Sequence, residues 1–195
     1  HTDHPRACFI IDDPLLSNRY GFLEYRQLAA SMRRQAFSAC IAFIPWNFRR
    51  SNPDVAAIFA STDQVLRLCV HGCDHTCGEF ATTDVEALGG KAQLALERMR
   101  AHRELSDVPF DDVMVFPQGL FSAEAMTALK ASGYLAAVNS DLYPSARSHT
   151  LALRELLDVA VTSFGDFPLF SRRYPRELSE FALDLFLGKP VLAVE

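Results

Sequence analysis

The 195-residue chain lacks the features that would place it in several broad classes. It has five cysteines, at positions 8, 40, 69, 73 and 77, with no Cys-x-x-Cys among them and no second, distant pair. That pattern suits neither the disulfide framework of a small secreted domain nor a four-ligand structural zinc site. It has only three lysines and a formal charge of −5, so nucleic acid is not expected as a partner. No apolar run approaches the roughly 20 residues of a membrane span. Low-complexity tracts, repeats and linkers are also missing. The chain opens at His1 rather than Met and shows no secretory signal, from which no compartment follows.

What is present is apolar and periodic. Hydrophobic residues make up 49% of the chain, enough for one sizeable core. Continuous apolar runs at 7–11, 38–44, 65–70, 113–116, 135–138, 159–164 and 191–194 read as strands covered on both faces. Amphipathic segments at 22–35, 53–60, 84–103, 123–132 and 176–187 alternate with them. Thr83 and Ser122 are suited to cap helices, and Gly133 to end one. Gly89-Gly90 either interrupts the third helix or marks its start. Alternating β and α units predict a parallel sheet, open and doubly wound or closed as a barrel, with ligands at the C-terminal strand ends.

Two of those strand ends carry chemistry. The first run ends in Asp12-Asp13-Pro14, and strand geometry sends the two carboxylates to opposite sides, one for a metal and one for substrate. Read alone, Asp-Asp-Pro is more often a turn or cap. The third run ends in His71-Gly72-Cys73-Asp74-His75, whose i, i+4 spacing suits two ligands on one face of a helical turn, with Gly72 permitting a sharp bend. Carboxylate and neutral imidazole together bind borderline divalent cations and leave positions open for water and substrate. Cys69, Cys73 and Cys77 are expected to be small fillers around this loop. A third block, Phe116-Pro117-Gln118-Gly119-Leu120-Phe121, reads as a groove wall or as a plain βα turn. Trp46 and Phe48 are further wall candidates, or caps on the core.

In this order and at these spacings, the blocks resemble the polysaccharide deacetylase family, the NodB-homology or carbohydrate esterase family 4 group. The resemblance rests on Asp12-Asp13, on His71 with His75, and more loosely on Pro117 to Gly119. It implies an α/β fold, a distorted (β/α) barrel of about seven parallel strands, over residues 1–195 as one catalytic domain truncated at one or both ends. It also implies a divalent metal, usually zinc, held by Asp13, His71 and His75, with Asp12 as general base. Trp46, Pro117, Gln118, Gly119 and Phe121 become the candidate substrate-binding residues.

The implied reaction is removal of an acetyl group from an N-acetylated sugar or related amide, with a glycan or small molecule as partner. A backbone N–H near the third block is expected to help hold the oxyanion. Two other readings remain: hydrolysis of a cyclic amide or ureide on the same fold, and a carbohydrate-binding module that has lost catalysis.

The chain departs from the family pattern in three places. Val115 and Phe116 stand where an arginine that orients the base is usual, so Arg147, Arg172 or Arg173 would have to replace it. Asn139-Ser140-Asp141 is only a trace of the fourth motif. The closing Leu-x-His, source of the general acid, is absent, although Val191 to Val194 resemble the strand that leads into it. Acetamide hydrolysis by these 195 residues is therefore expected to be slow unless His149 substitutes. A longer chain carrying that histidine is expected to gain roughly 10²–10⁴-fold from acid catalysis.

Overall fold

A computed structural model describes residues 7–61, 65–146, 150–176 and 178–194. Seven strands, β1 (Ala7–Asp12), β2 (Ser38–Phe43), β3 (Leu66–His71), β4 (Phe110–Val115), β5 (Ala136–Asn139), β6 (Leu169–Ser171) and β7 (Val191–Val194), form one sheet in the order β6-β5-β4-β3-β2-β1-β7. Every pairing between them is parallel. The two ends of that order then meet. Arg173, just past β6, donates its N–H to Leu192 O (2.8 Å) and accepts from Val194 N–H (3.0 Å). One such bridge nearly closes the sheet into a barrel, and all seven strand C-termini face one mouth.

Helices α1 (Tyr25–Gln35), α2 (Pro53–Ala60), α3 (Val85–Ser106), α4 (Ala123–Ala131), α5 (Leu153–Leu157) and α6 (Leu178–Phe186) flank it. Alternation along each strand sorts the core into two layers. Ile10, Ala42, Cys69, Val115 and Val138 cluster on the luminal side, where most of them line an apolar cavity of about 260 Å³. Ile41, Phe43, Leu68, Val70 and Met114 face outward and pack beneath the helices with Tyr25, Met32, Leu96 and Phe121. Strands buried on both sides explain the continuous apolar runs.

Most expected elements lie within a few residues of these bounds. Three expectations are corrected. Asp84, not Thr83, caps α3, its carboxylate accepting from Ala87 N–H at 3.0 Å. Gly89 and Gly90 sit inside an unbroken 22-residue helix. The sixth strand is Leu169–Ser171 rather than 159–164, where Val161 makes only an isolated antiparallel bridge to Leu169. Gly165 and Asp166, at φ +66° and +54°, turn the chain back between the two segments. Val161, Phe164, Phe167 and Leu169 are all buried, so apolar content alone did not separate strand from approach. α5 contributes no buried side chain, which is why no amphipathic pattern announced it.

His102 on α3 is fully buried beside the Phe43 ring (4.8 Å between centroids), with Nε2 2.7 Å from Ser51 Oγ. Burial penalises the charged imidazolium and lowers its pKa from 6.5 to about 4. Between those values the unfolded chain binds a proton that the folded one refuses. The contribution to stability is therefore complete above pH 6.5 and is lost progressively towards pH 4. Urea midpoints measured across that window should fall with pH in the wild type, and His102→Gln should flatten the decline.

Candidate metal and hydrolytic site

β1, β2 and β3 are neighbours, so their C-terminal ends bring Asp12, Asp13 and the 71–75 loop together. Asp13 has left-handed backbone (φ +73°) and donates its N–H to Ala42 O. This turn directs Oδ1 to 3.1 Å from His71 Nε2 and 2.9 Å from His75 Nε2. These three residues are the one group of His, Cys, Asp or Glu side chains among the described residues whose ligand atoms could hold a metal ion.

The tautomer of one histidine can be inferred. His71 Nδ1 lies 3.0 Å from Val115 O, and a carbonyl only accepts, so Nδ1 carries the hydrogen. In neutral His71, Nε2 then presents a lone pair to a carboxylate oxygen. Two acceptors at that distance repel unless positive charge lies between them, either a proton or a cation. Asp13 Oδ1 is buried and makes no well-aligned hydrogen bond. His71, within hydrogen-bonding distance, is the main influence holding the Asp13 carboxyl below the usual carboxylate range. Burial opposes this, while the charges of His71, His75 and Arg172 reinforce it. An ionised oxygen and two imidazole nitrogens converging on one point form a donor set that fits a borderline divalent cation.

The histidines do not sit on a helical turn, as the i, i+4 spacing had suggested. Gly72 and His75 both take left-handed backbone, φ +62° and +59°, and fold residues 72–75 into a tight loop. Its centre is Glu79, whose side chain is fully buried. Oε1 accepts from the N–H groups of Cys73 (2.8 Å) and His75 (3.2 Å), and Oε2 from that of Asp74 (3.1 Å). Lys91 supplies the counter-charge at 3.3 Å. Three successive amides converging on one anion make a nest, here filled by the chain's own carboxylate. A Cβ on Gly72 would lie 2.0 Å from Glu79 Oε1 and 2.4 Å from Pro117 Cγ. Glu79 escaped notice in the sequence because it belongs to no spacing pattern; its only signal was a carboxylate shortly after a glycine-containing loop.

Asp12 turns the other way and is gripped by Arg172. Nη1 and Nη2 reach Oδ1 and Oδ2 at 2.6 and 2.7 Å, and Arg172 is only 5% exposed. Of the three arginines considered, Arg172 is the partner. Arg173 pairs instead with Asp184 and Glu180, and Arg147 lies outside the described residues.

The remaining candidates divide. Pro117 is buried against Gly72 as a strut, Gln118 is exposed with its amide nitrogen 3.5 Å from His75 Nδ1, and Gly119 is half-buried. Asn139, the trace of the fourth motif, steadies this turn by donating to Gly119 O and Asp141 O, both at 2.9 Å. Trp46 is 60% exposed at the mouth, its backbone N–H donating to Cys73 O and one ring face covered by Arg98 at 5.0 Å. Phe121 is corrected: it is fully buried and stacked on Phe116 at 5.0 Å, so it serves the core and offers no surface to a ligand. Phe48 lines an outer crevice with Ala101 and Leu105 of α3. Cys69 and Cys73 are buried, as fillers should be, but Cys77 is exposed. His149 lies outside the described residues.

No protein-family model matches the chain, and no curated protein sequence does. Solved structures share its fold. One is a Mycobacterium smegmatis protein assigned as a polysaccharide deacetylase, 13% identical over all of this chain and 78% of that one, with a TM-score of 0.58. Another is a carbohydrate esterase family 4 pseudoenzyme from Bacillus anthracis, 10% identical over all of this chain and 65% of that one (TM-score 0.51). A third is the 4-alpha-glucanotransferase of Thermococcus litoralis, 15% identical over 98% of this chain and 33% of that one (TM-score 0.62). The chain thus has the barrel of the polysaccharide deacetylases. The same fold occurs in a protein assigned as a deacetylase, in a pseudoenzyme and in a glucanotransferase, so chemistry must be argued from the residues.

The cradle around Gly72 leads to a contrast between two glycines. Gly72→Ala should lower stability by about 3 kcal/mol through left-handed strain and overpacking, and should weaken metal binding with it. Gly89→Ala, inside α3 with open space around its Cβ, should raise stability by about 0.5–1 kcal/mol. Glu79→Gln should keep the fold but weaken metal binding by about 10–100-fold, as loss of a group supporting a ligand does. Urea unfolding and metal titration of the three variants test these expectations.

Proposed function

We propose that this chain is a divergent polysaccharide deacetylase, a metal-dependent hydrolase that removes an acetyl group from an N-acetylated sugar or related amide. The observation that carries the reading is the convergence of Asp13 Oδ1, His71 Nε2 and His75 Nε2 beside a second carboxylate locked by arginine. Asp13, His71 and His75 are the residues that would hold the metal, most suitably zinc. Bound there, the ion would supply Lewis acidity, acidifying water and polarising an amide carbonyl.

Asp12 is the base. With both oxygens engaged by Arg172, the carboxylate is kept in one orientation and its remaining lone pairs accept a proton from water at the mouth. His71 donates Nδ1–H to Val115 O, which leaves Nε2 free for the metal. Gln118, with its amide turned to present oxygen, would do the same for His75. In the Pro117–Gly119 turn, the N–H groups of Gly119 and Leu120 are taken by Phe116 O and Pro117 O. Gln118 N–H is therefore the turn's candidate oxyanion donor. Trp46 supplies a flat wall for the sugar, its ring held by Arg98.

The leaving amine needs a proton. Of the histidines in the described residues, His71 and His75 are assigned to the metal and His102 is buried against Ser51 and Phe43. Asp12, protonated in the first step, is the group placed to return it.

Asp13→Ala and His75→Ala should each abolish stoichiometric metal while leaving the fold intact. Asp12→Asn should retain metal and lose about 10²–10⁴-fold in turnover. Metal analysis and acetate release decide the matter: unchanged metal in both ligand variants, or loss of metal only in Asp12→Asn, contradicts the assignment. Arg172→Lys cannot preserve the fork and should lower turnover with metal content unchanged.

A further inference from the structure

On the outside of the barrel, the chain after β2 and the last turns of α3 enclose a crevice that shares no residue with the metal site. Phe48, Arg49 and Ser51 come from the first and Ala101, Leu105 and Ser106 from the second, around a volume of about 530 Å³. That lies within the roughly 300–1,000 Å³ usual for ligand sites. Glu104 completes the lining, so it and Arg49 give the crevice one charge of each sign.

Two of these residues are hydroxyls that flank one imidazole. Ser51 Oγ lies 2.7 Å from His102 Nε2. Ser106 Oγ lies 3.4 Å from both ring nitrogens and donates its own hydrogen to His102 O at 2.7 Å. Towards the ring, Ser106 therefore only accepts. With hydrogen on Nδ1, Ser106 has a donor and Nε2 accepts from the Ser51 hydroxyl. The opposite tautomer would set Nδ1 and Ser106 Oγ against each other as two acceptors. The packing thus selects the tautomer that can take a proton from Ser51, and the Phe43 ring, 4.8 Å away between centroids, holds the imidazole in place. A hydroxyl bonded to a base that a third group orients is the arrangement of an activated nucleophile.

We infer that Ser51 is a nucleophile activated by His102, and that the crevice is a second, metal-independent acyl-transfer site for neutral esters of small apolar acids. Ser51 Oγ bonds to the carbonyl carbon as its proton passes to Nε2. The bond from that carbon to the leaving oxygen then breaks, and the departing alcohol takes the proton back from Nε2. Ser51 is left acylated and His102 neutral; water repeats the sequence to release the acid. The Ser51 N–H, which donates to no acceptor among the described residues, is available to the oxyanion. Phe48, Ala101 and Leu105 supply the apolar surface for the acyl group.

His102 also limits the substrate. Its pKa of about 4 keeps it neutral, as a base must be, but makes it a weak base. Its place in the last turn of α3, where the helix dipole is negative, only partly offsets the cost of a buried imidazolium. The leaving group must depart with little help, which favours aryl esters over alkyl esters and amides. The site is therefore distinct in chemistry from the proposed deacetylase centre and does not rest on it.

The test uses the metal-loaded wild type and metal-loaded Asp12→Asn, with p-nitrophenyl acetate and an uncharged alkyl fluorophosphonate as probes. Both proteins should give a burst of p-nitrophenol stoichiometric with protein, and peptide mapping should place either label on Ser51. Ser51→Ala should lose burst and label while keeping its metal content and urea midpoint. His102→Gln should slow acylation by about 10²-fold. Ser106→Ala should slow it less, and Ser106→Thr, which keeps the hydroxyl, should restore the rate. No label on Ser51 overturns the inference. So does labelling at the wild-type rate in Ser106→Ala and in any folded His102→Gln, since the ring is then not the activator. Acetate release from N-acetylglucosamine is read separately: Ser51 labelling without it leaves this site standing and removes the deacetylase reading, and the converse does the reverse.

Discussion

The ion pair between Arg172 and Asp12 joins residues 160 apart, and it forms only because the sheet bends round until β6 meets β7. A flat sheet in the same order would leave β1 and β6 well separated. In the barrel, one bridge at Arg173 carries the neighbouring Arg172 into the mouth. The pair is partly buried, so each partner depends on the other: removing either leaves a charge poorly solvated and costs about 3–5 kcal/mol. Barrel closure and the orientation of the Asp12 carboxylate are therefore one structural event. The same arginine also lines a cleft with Ser140, Asp141 and Tyr174.

A second constraint acts on the opposite side of the site. The 71–75 loop is short and holds two residues in left-handed backbone, one of them a histidine. Such a loop exposes N–H groups that regular structure would have used. Glu79 collects three of them, Lys91 neutralises Glu79, and Pro117 packs on Gly72. Asp74, which burial alone would push up, is held below the usual carboxylate range by Arg98 and Lys91, so it stays ionised within this network. Arg98 in turn covers Trp46. The His75 loop and the exposed indole of Trp46 are thus braced by one set of charges.

These two supports differ in what they require. The nest around Glu79 is local, spanning eight residues and a helix that follows it. The Arg172 contact is global and needs every strand in place. A chain whose barrel loosened could keep its histidines in register and still lose the orientation of Asp12. Among the fold's relatives is a pseudoenzyme, one variant of which has restored activity. The barrel and the chemistry it carries are evidently separable.

Sequence by itself determined the strands, because burial on both faces forces continuous apolar runs, and most helices, because one face must be apolar. It also marked Asp12, Asp13, His71 and His75, since metal-ligating side chains at strand ends stand out from any packing role. It misjudged Phe121, whose position in a turn looked exposed while its ring fills the core, and 159–164, where apolar residues serve the core without pairing as a strand. Arg172 was one of three arginines with nothing to rank them, and Glu79 carried no pattern at all. Both act through contacts made after folding, one across the closed barrel and one onto backbone amides. Only the tertiary structure decided them, because sequence records which groups are present and periodic, whereas the distance between a guanidinium just past β6 and a carboxylate at the end of β1 is set by the curvature of the sheet.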